Sequence, residues 1–338
     1  MAVLRLGPLE ELDGDPSITD VTITCDGRIW VDRGHGMIEY HPRIALRSPA
    51  TVREYAVQLC SQLGRRLDDA RPIADACDDL GVRVHAAIAP LVPQGASISI
   101  RFPARSSPTL DGLHRQGMFP APWLAVLRNL VAQRATILIT GGTGSGKTTL
   151  MKALLNEVWH GERIVTVEET RELNGIAPPN HVALATREAN VEGAGAVDLP
   201  ELVKATLRMR PDRVVLGECR GEEIADLLRA YNSGHRGGMT TLHADGVARV
   251  PSRLIALGML AGLRPEALTA LIEGAFDVVM HLERNRGRRR IAQLGVLSGS
   301  GSQLTGIPLS TWSGTGPPSY SAEWDRFASR WLPMQPPS

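Results

Sequence analysis

The sequence predicts an α/β chain of two domains, and three observations predict it. At 338 residues the chain is about twice the usual span of one domain, so two cores are expected. From residue 122 onward, β-branched runs alternate with amphipathic stretches, the pattern of strands crossed by helices. Between one such strand and its helix lies a glycine-rich run, Gly141-Gly142-Thr143-Gly144-Ser145-Gly146-Lys147-Thr148, which satisfies GxxxxGK[ST] in full.

The first domain is expected over residues 1–105. Residues 18–24 (ITDVTIT) and 28–34 (RIWVDRG) make a hairpin, because the Asp26-Gly27 turn between them tolerates the positive φ that a two-residue loop requires. Thr51 with Glu54 fits a capping box ahead of VREYAVQLCSQL, whose Val52, Tyr55, Ala56 and Leu59 share one helical face. Residues 82–91 and 96–102 read as two further strands separated by a Pro93-Gly95 turn. Residues 106–121 hold prolines, glycines and polar side chains, and are expected to be an interdomain linker.

The second domain is expected over residues 122–298. WLAVLRNLVAQ is a short amphipathic helix with Leu124, Leu127, Leu130 and Val131 inward. The strand Thr136 to Thr140 precedes the glycine-rich run and a helix opens near Thr148, so loop N–H groups and the helix N-terminus can cradle phosphates. Lys147 then serves as a point charge on β and γ phosphates, and the Thr148 hydroxyl takes one Mg²⁺ position. Downstream, residues 163–170 form a strand ending in Glu168 and Glu169, one able to polarise a water and the other to help hold Mg²⁺. Asp198 and Glu201 cap the helix LPELVKATLRM, Pro211 stops it, and RVVLGECRG is a hydrophobic strand ending in Glu218. The segment GHRGGMTTLHAD at 234–245 follows an amphipathic helix; if its strand lies beside that of the glycine-rich loop, His243 reaches the γ phosphate or Glu218. Metal binding by His235 and His243 is a weaker option. Beyond about residue 297 the chain becomes Gly/Ser/Pro-rich, so 299–338 is expected to be a disordered tail. It ends in a short amphipathic helix, AEWDRFASRWLP, that docks Trp324 and Trp331 on the protein's own body.

Composition narrows the function. Lys plus Arg (37) nearly equals Asp plus Glu (36), a formal charge of +1, which argues against a strongly basic nucleic-acid coat. Aromatic residues make up 4%, too few for a surface on which single-stranded bases stack. Only Lys147, Lys152 and Lys204 are lysines among these 37 basic residues. The four cysteines, Cys25, Cys60, Cys77 and Cys219, form no CxxC pair, so neither zinc nor a disulfide framework is expected. The start lacks a signal peptide's apolar run and no segment reaches a membrane span's length. A cytoplasmic protein that meets the membrane only through partners is the expectation.

In this order the motifs resemble the secretion ATPases that power type II secretion, type IV secretion and type IV pilus assembly. Within them the chain is most similar to the CpaF or TadA branch, which drives tight-adherence (Flp) pili. The matching residues run from about 9 to 297. ITDVTITCDGRIWVDRG and APLVPQGASISIRFP match in the first domain, and GGTGSGKTTLMKALLNEV is the Walker A element. VTVEETREL stands at the acidic "Asp box", ATLRMRPDRVVLGECRGEEIADLLRAYNSGH covers the Walker B region, and GGMTTLHAD is the "His box". The resemblance implies a RecA-like P-loop domain with a smaller amino-terminal α/β domain that is PAS-like.

It implies residue roles as well. Gly141 to Thr149, with Lys147, would bind ATP: Gly141, Gly142, Thr143, Gly144, Ser145, Gly146, Thr148 and Thr149. Thr148, Glu218 and Glu169 would stand at Mg²⁺, Glu168 would be the water-activating acid, Glu218 the Walker B glutamate and His243 the His-box histidine. Arg101 of the first domain would approach the phosphates on domain closure, with Arg83 and Arg105 behind it. Arg187, Arg208 and Arg210 match family positions in the nucleotide domain, Arg187 toward nucleotide and Arg210 toward catalysis. A cytoplasmic homohexamer that works on an inner-membrane platform protein is implied, with no insertion into the membrane and no nucleic acid. Glu169 stands where the family usually has Asp, which leaves the choice of base between Glu168 and Glu169 open. Other classes remain: a DNA-translocating or conjugative ATPase, a small-molecule P-loop kinase, and a structural ring protein that binds ATP without turnover.

Overall fold

Contacts divide the chain into two units, Met1–Ser106 and Ser107–Ser338. The computed structural model describes residues 4–78, 80–103, 107–187, 189, 194–285, 287–300 and 303–332.

The first unit contains α1 (Glu10–Asp13), β1 (Asp20–Ile23), β2 (Ile29–Asp32), β3 (Met37–Tyr40), α2 (Pro49–Gln62), β4 (Ile73–Cys77), β5 (Arg83–Ile88) and β6 (Ala96–Arg101). Its sheet is antiparallel, in the order β3-β2-β1-β6-β5-β4. Alternation places Val21, Ile23, Val84, Ala86, Ile98 and Ile100 on one face, where they share a core with Val52, Tyr55, Ala56 and Leu59 of α2. The expected hairpin is β1–β2. Its loop is three residues rather than two, because Thr24 N–H donates to Arg28 O (2.9 Å) and Gly27 takes φ +85°. The cap of α2 also differs: Ser48, not Thr51, is the N-cap, and its Oγ accepts from Thr51 N–H (3.2 Å).

The second unit continues with α3 (Leu110–Arg115), α4 (Ala121–Ala132), β7 (Ile137–Gly141), α5 (Lys147–Leu155), β8 (Ile164–Glu168), β9 (His181–Ala185), α6 (Leu199–Thr206), β10 (Arg213–Leu216), α7 (Glu223–Asn232) and β11 (Met239–Leu242). There follow α8 (Val250–Leu260), α9 (Pro265–Ile272), β12 (Val278–Asn285), β13 (Arg288–Ser300), β14 (Gln303–Thr311), β15 (Ser319–Tyr320) and α10 (Trp324–Trp331). The sheet runs β15-β14-β13-β12-β7-β11-β10-β8-β9. Six strands, β12 through β9, are parallel, and β13, β14 and β15 extend the sheet antiparallel.

Both faces are covered, which is why the central strands are continuous apolar runs. Ile137 and Ile139 of β7 pack with α3, α4, α5 and α10, while Leu138 packs with α6, α7, α8 and α9 on the other face. Asp198 Oδ1 caps α6 by accepting from Glu201 N–H (2.9 Å), as the sequence suggests. A fully buried Arg213 enters β10 and is satisfied by Glu162 Oε2 (2.7 Å), Glu162 Oε1 (3.1 Å) and the carbonyls of Val131 and Gly237.

Two expectations are corrected. The segment 106–121 is no free linker: α3 lies in it, and Leu110, Leu113, Met118 and Phe119 are buried in the second unit's core. Nor is 299–338 a disordered tail, since its described residues supply β14, β15 and α10. Two glycines of the β13–β14 pair, Gly295 and Gly306, lie where the turn at Val247 crosses it closely. A Cβ on Gly306 would sit 2.0 Å from Val247 O, and one on Gly295 2.7 Å from the Val247 side chain. The helix α10 docks on its own body as expected, with Trp324, Phe327 and Trp331 in the core beside α4.

Candidate functional site: a phosphate-binding loop and its acids

In the parallel sheet the neighbours β7, β11, β10 and β8 end at one edge, and each delivers a polar residue there. The glycine-rich loop follows β7, His243 follows β11, Glu218 follows β10, and Glu168 closes β8. The sequence expectation that His243 stands beside the loop strand and reaches Glu218 matches this geometry.

The loop is shaped for an anion. Gly146 is the N-cap of α5 with φ +98°, and Gly141 has φ +146°, where a Cβ would come within 2.4 Å of Leu282 O. Neither position accepts another residue without strain. Lys147 folds back so that Nζ donates to Gly141 O (2.9 Å) and Gly142 O (3.0 Å). Burial lowers its pKa, and Glu218 opposes that shift. Gly142, Thr143 and Gly144 are exposed, whereas the buried Ser145 Oγ has no hydrogen-bond partner. Loop N–H groups at a helix N-terminus, with an ammonium held chiefly by two loop carbonyls, fit a nucleotide's phosphates.

His243 Nε2 lies 2.7 Å from Glu218 Oε1 and 3.4 Å from Lys147 Nζ. One nitrogen cannot donate to the carboxylate and accept from the ammonium together; the contact to Lys147 has hydrogen-bond geometry, whereas Glu218 Oε1 lies close to the ring without a hydrogen-bond partner. Burial, with Lys147 adding to it, lowers the His243 pKa, so the ring is neutral at pH 7. Arg220 then ties two strand ends together, pairing with Glu218 and, through Nη1, with Glu169 Oε2 (2.9 Å). Thus Glu169 is exposed and held by an arginine, close to Glu218 as a metal-side acid would be.

The acid over the loop is another one. Thr148 Oγ1 donates to Glu172 Oε2 at 2.8 Å, and a hydroxyl that donates this way turns its lone pairs outward, where a cation can take them. Glu168 is turned into the protein. It is 4% exposed, and its carboxylate accepts from the N–H groups of Glu172 (2.9 Å) and Leu173 (3.1 Å). Burial raises its pKa to about 7 against those two hydrogen bonds. Gly217 lets it lie there, because a Cβ at 217 would be 2.9 Å from Glu168 Cγ. Sequence reasoning passed over Glu172, although VEETREL places it four residues after Glu168, and it passed over Arg220.

The arginines are dispersed. Arg210 and Arg208 are exposed before Pro211, at the edge where β10 begins. The loop and Glu218 stand at the edge where the strands end, on the order of 20 Å away along the sheet, so these two do not serve their own chain's loop. Arg187 follows β9, the outermost parallel strand, at the edge where Glu168 ends β8: its neighbour Thr186 donates N–H to Glu168 O (3.1 Å), and Arg187 itself bridges Val197. In the first unit Arg101 pairs through Nε with Asp20 Oδ1 (2.9 Å), its partner across β1 and β6, and Arg83 stands opposite Arg101 on β5. Arg105 lies outside the described residues. His235 precedes β11 and His243 follows it, so the two stand at opposite ends of that strand and not together. The residues present do suit Mg²⁺, which takes few protein ligands and is completed by phosphate and water.

Comparisons with known proteins place the chain in a family. The family model for type II/IV secretion system proteins matches residues 4–296. A protein of Mycobacterium tuberculosis named "Putative conjugal transfer protein Rv3659c" is 43% identical over 300 residues, covering 86% of this chain and 84% of that one. The conjugal transfer protein TrbB of Rhizobium radiobacter is 31% identical over 288 residues, covering 83% and 84%. Among solved structures, the Legionella pneumophila ATPase DotB superposes with a TM-score of 0.57 at 22% identity, covering 85% of this chain and 78% of that one. The pilus retraction motor PilT with bound ADP gives 0.57 at 19%, covering 87% and 82%. The second unit is therefore an α/β fold related to the RecA-like domains of those ATPases, and the first is an accessory domain. The chain belongs to the type II/IV secretion system protein family.

Proposed function

We propose that the chain is a Mg²⁺-dependent ATPase that powers a secretion or pilus machine. The observation that carries this reading is the convergence on one sheet edge of the Lys147 loop, the Thr148–Glu172 pair and the Glu218–His243 pair. The loop N–H groups and Lys147 bind the β and γ phosphates, and a Mg²⁺ ion held beside them would supply further positive charge against the phosphates. Thr148 offers its hydroxyl to the metal, and Glu218 with Glu169 stands on the metal side. Glu172, which reaches over Thr148, orients the attacking water and takes its proton as the water adds to the γ phosphorus and ADP leaves. Glu168 is a positioning residue: it holds the 172–173 backbone and so aims Glu172. Neutral His243 senses Glu218 and carries the nucleotide's state into β11.

Beyond the chemistry, we take the family's architecture as the working arrangement. The chain acts as a cytoplasmic homohexamer on an inner-membrane platform protein, of the CpaF or TadA kind, and its PAS-like first domain brings Arg101 to the phosphates on closure. That no helix among the described residues is long and apolar enough to cross a membrane is compatible with docking through partners. Arg210 and Arg187, remote from their own loop, are candidates to act on a neighbouring subunit. A second reading, a motor for conjugative DNA transfer, draws support from the printed names of the two relatives above. DNA-stimulated hydrolysis would favour it.

Phosphate release by purified protein tests the main reading. Wild type should release phosphate only with Mg²⁺, and Lys147→Ala should lose about 100-fold or more. Equal rates in the two proteins would sink the assignment.

A further inference from the structure

The tip of the β12–β13 hairpin carries arginines that the mechanism above does not use. Antiparallel pairing sets Glu283 opposite Arg290 and Arg284 opposite Arg289. The first pair is neutralised, with Arg290 Nη2 2.8 Å from Glu283 Oε2. The second is a like-charge pair on one sheet face, an arrangement that destabilises a ladder. Among the described residues neither Arg284 nor Arg289 has an acidic partner within ion-pair distance.

Both lie against the phosphate-binding loop. β12 runs beside β7, with Leu282 in register with Gly141, so the hairpin tip continues alongside the loop. Arg289 Nε donates to Gly144 O at 3.0 Å, and its Cδ lies 3.2 Å from where a Cβ on Gly146 would be. Arg284 Nη1 lies 3.4 Å from the corresponding point on Gly144. In a trans peptide the C=O and the following N–H point in opposite directions. Holding Gly144 O from outside therefore turns Ser145 N–H inward, where it now makes only a long 3.3 Å contact to Gly142 O.

We propose that Arg284 and Arg289 form a second phosphate-recognition element of this site. Arg289 holds the outer peptide of the loop so that its N–H groups face the ligand, and Arg284 lends its charge to the polyphosphate of a nucleoside di- or triphosphate. The bound anion relieves the repulsion between the two guanidiniums, so the pair costs stability in the free protein and contributes affinity in the complex. The inference rests on the nucleotide-binding reading of the loop.

Calorimetric titration of the full chain with ADP and with inorganic tripolyphosphate, beside melting curves without ligand, tests it. Arg284→Gln and Arg289→Gln should each weaken both ligands about tenfold, the size expected for one charge-assisted hydrogen bond. Melting temperature without ligand should stay level or rise. Arg289→Lys, which keeps a charge and a donor, should recover part of the loss. Unchanged affinity in both glutamine variants would overturn the proposal. So would a loss matched by a fall in melting temperature and not relieved by Arg289→Lys, because the arginines would then be structural. A wild-type protein that bound neither ligand would refute the nucleotide site itself, whereas tight wild-type binding shared by every variant refutes the arginine pair alone.

Discussion

A buried carboxylate and an exposed one, four residues apart, divide the work of the acidic segment. Glu168 accepts two backbone N–H groups under Gly217, and Glu172 reaches the Thr148 hydroxyl. The pKa of Glu168, raised to about 7 by burial, makes its protonation visible in stability. A carboxyl whose folded pKa exceeds its unfolded value holds its proton more tightly when folded. Its contribution is fully present below about pH 4.5 and is lost as pH rises through about 7. Urea unfolding between pH 5 and 8 should show wild type losing stability with rising pH and Glu168→Gln lacking that component. The same slope in both would place the titration elsewhere. The segment shows how far sequence goes at this scale. Lys147, Thr148, Glu218 and His243 were legible because a motif or a strand end fixes each of them. The sequence left the choice between Glu168 and Glu169 open and passed over Glu172, since which acid the turn after β8 directs inward is encoded by no spacing rule.

Among the elements, the carboxy-terminal strands and helix depart furthest from what composition suggests. Gly, Ser and Pro in a row read as loop, yet β13 and β14 are long paired strands, two of whose glycines make room for the Val247 turn. The helix α10 was readable because its aromatic residues recur on one face, and that face enters the core. Gln133 Nε2 donates to Trp331 O (2.9 Å) and Arg330 pairs with Asp277 (2.8 Å), fixing the helix against α4 and the start of β12. Trp331→Ala should therefore destabilise the protein by about 3–5 kcal/mol, as for other buried aromatics cut to Ala. A change under about 1 kcal/mol by chemical denaturation would mean the helix is not docked. At the opening of β10, Arg213→Ala would remove the buried partner of Glu162 and leave it only the part-exposed Arg134, at 3.2 Å. A loss of about 3–5 kcal/mol is expected by the same assay, and a loss as small as a surface pair's would contradict the buried network.

For the whole molecule, the near-neutral charge of +1 bears on what the protein touches. A DNA translocase depends on phosphate contacts and loses affinity steeply with salt. Hydrolysis by this protein should be indifferent to added DNA at low salt, and a several-fold stimulation would favour the conjugative reading. The family's ring predicts that light scattering with Mg²⁺ and nucleotide finds a mass near six times 36.5 kDa, while a monomer under all conditions would contradict it. The two-domain organisation was legible from length and from the order of motifs, and the expected end of the first domain at 105 lies one residue from the unit boundary, but composition did not show that the second core begins directly after it. Prolines and glycines at 106–121 looked like a connector until Leu110, Leu113 and Phe119 were seen in the second core. The central claim is that the second unit hydrolyses ATP with Glu172 at the water and Glu168 behind it. Single-turnover hydrolysis of Mg²⁺-ATP by wild type, Glu172→Gln and Glu168→Gln, with ATP affinity measured in parallel, tests it most directly. Glu172→Gln should bind ATP about as tightly as wild type but hydrolyse it about 100-fold or more slowly, with Glu168→Gln impaired to a lesser degree. Wild-type turnover by Glu172→Gln would contradict it.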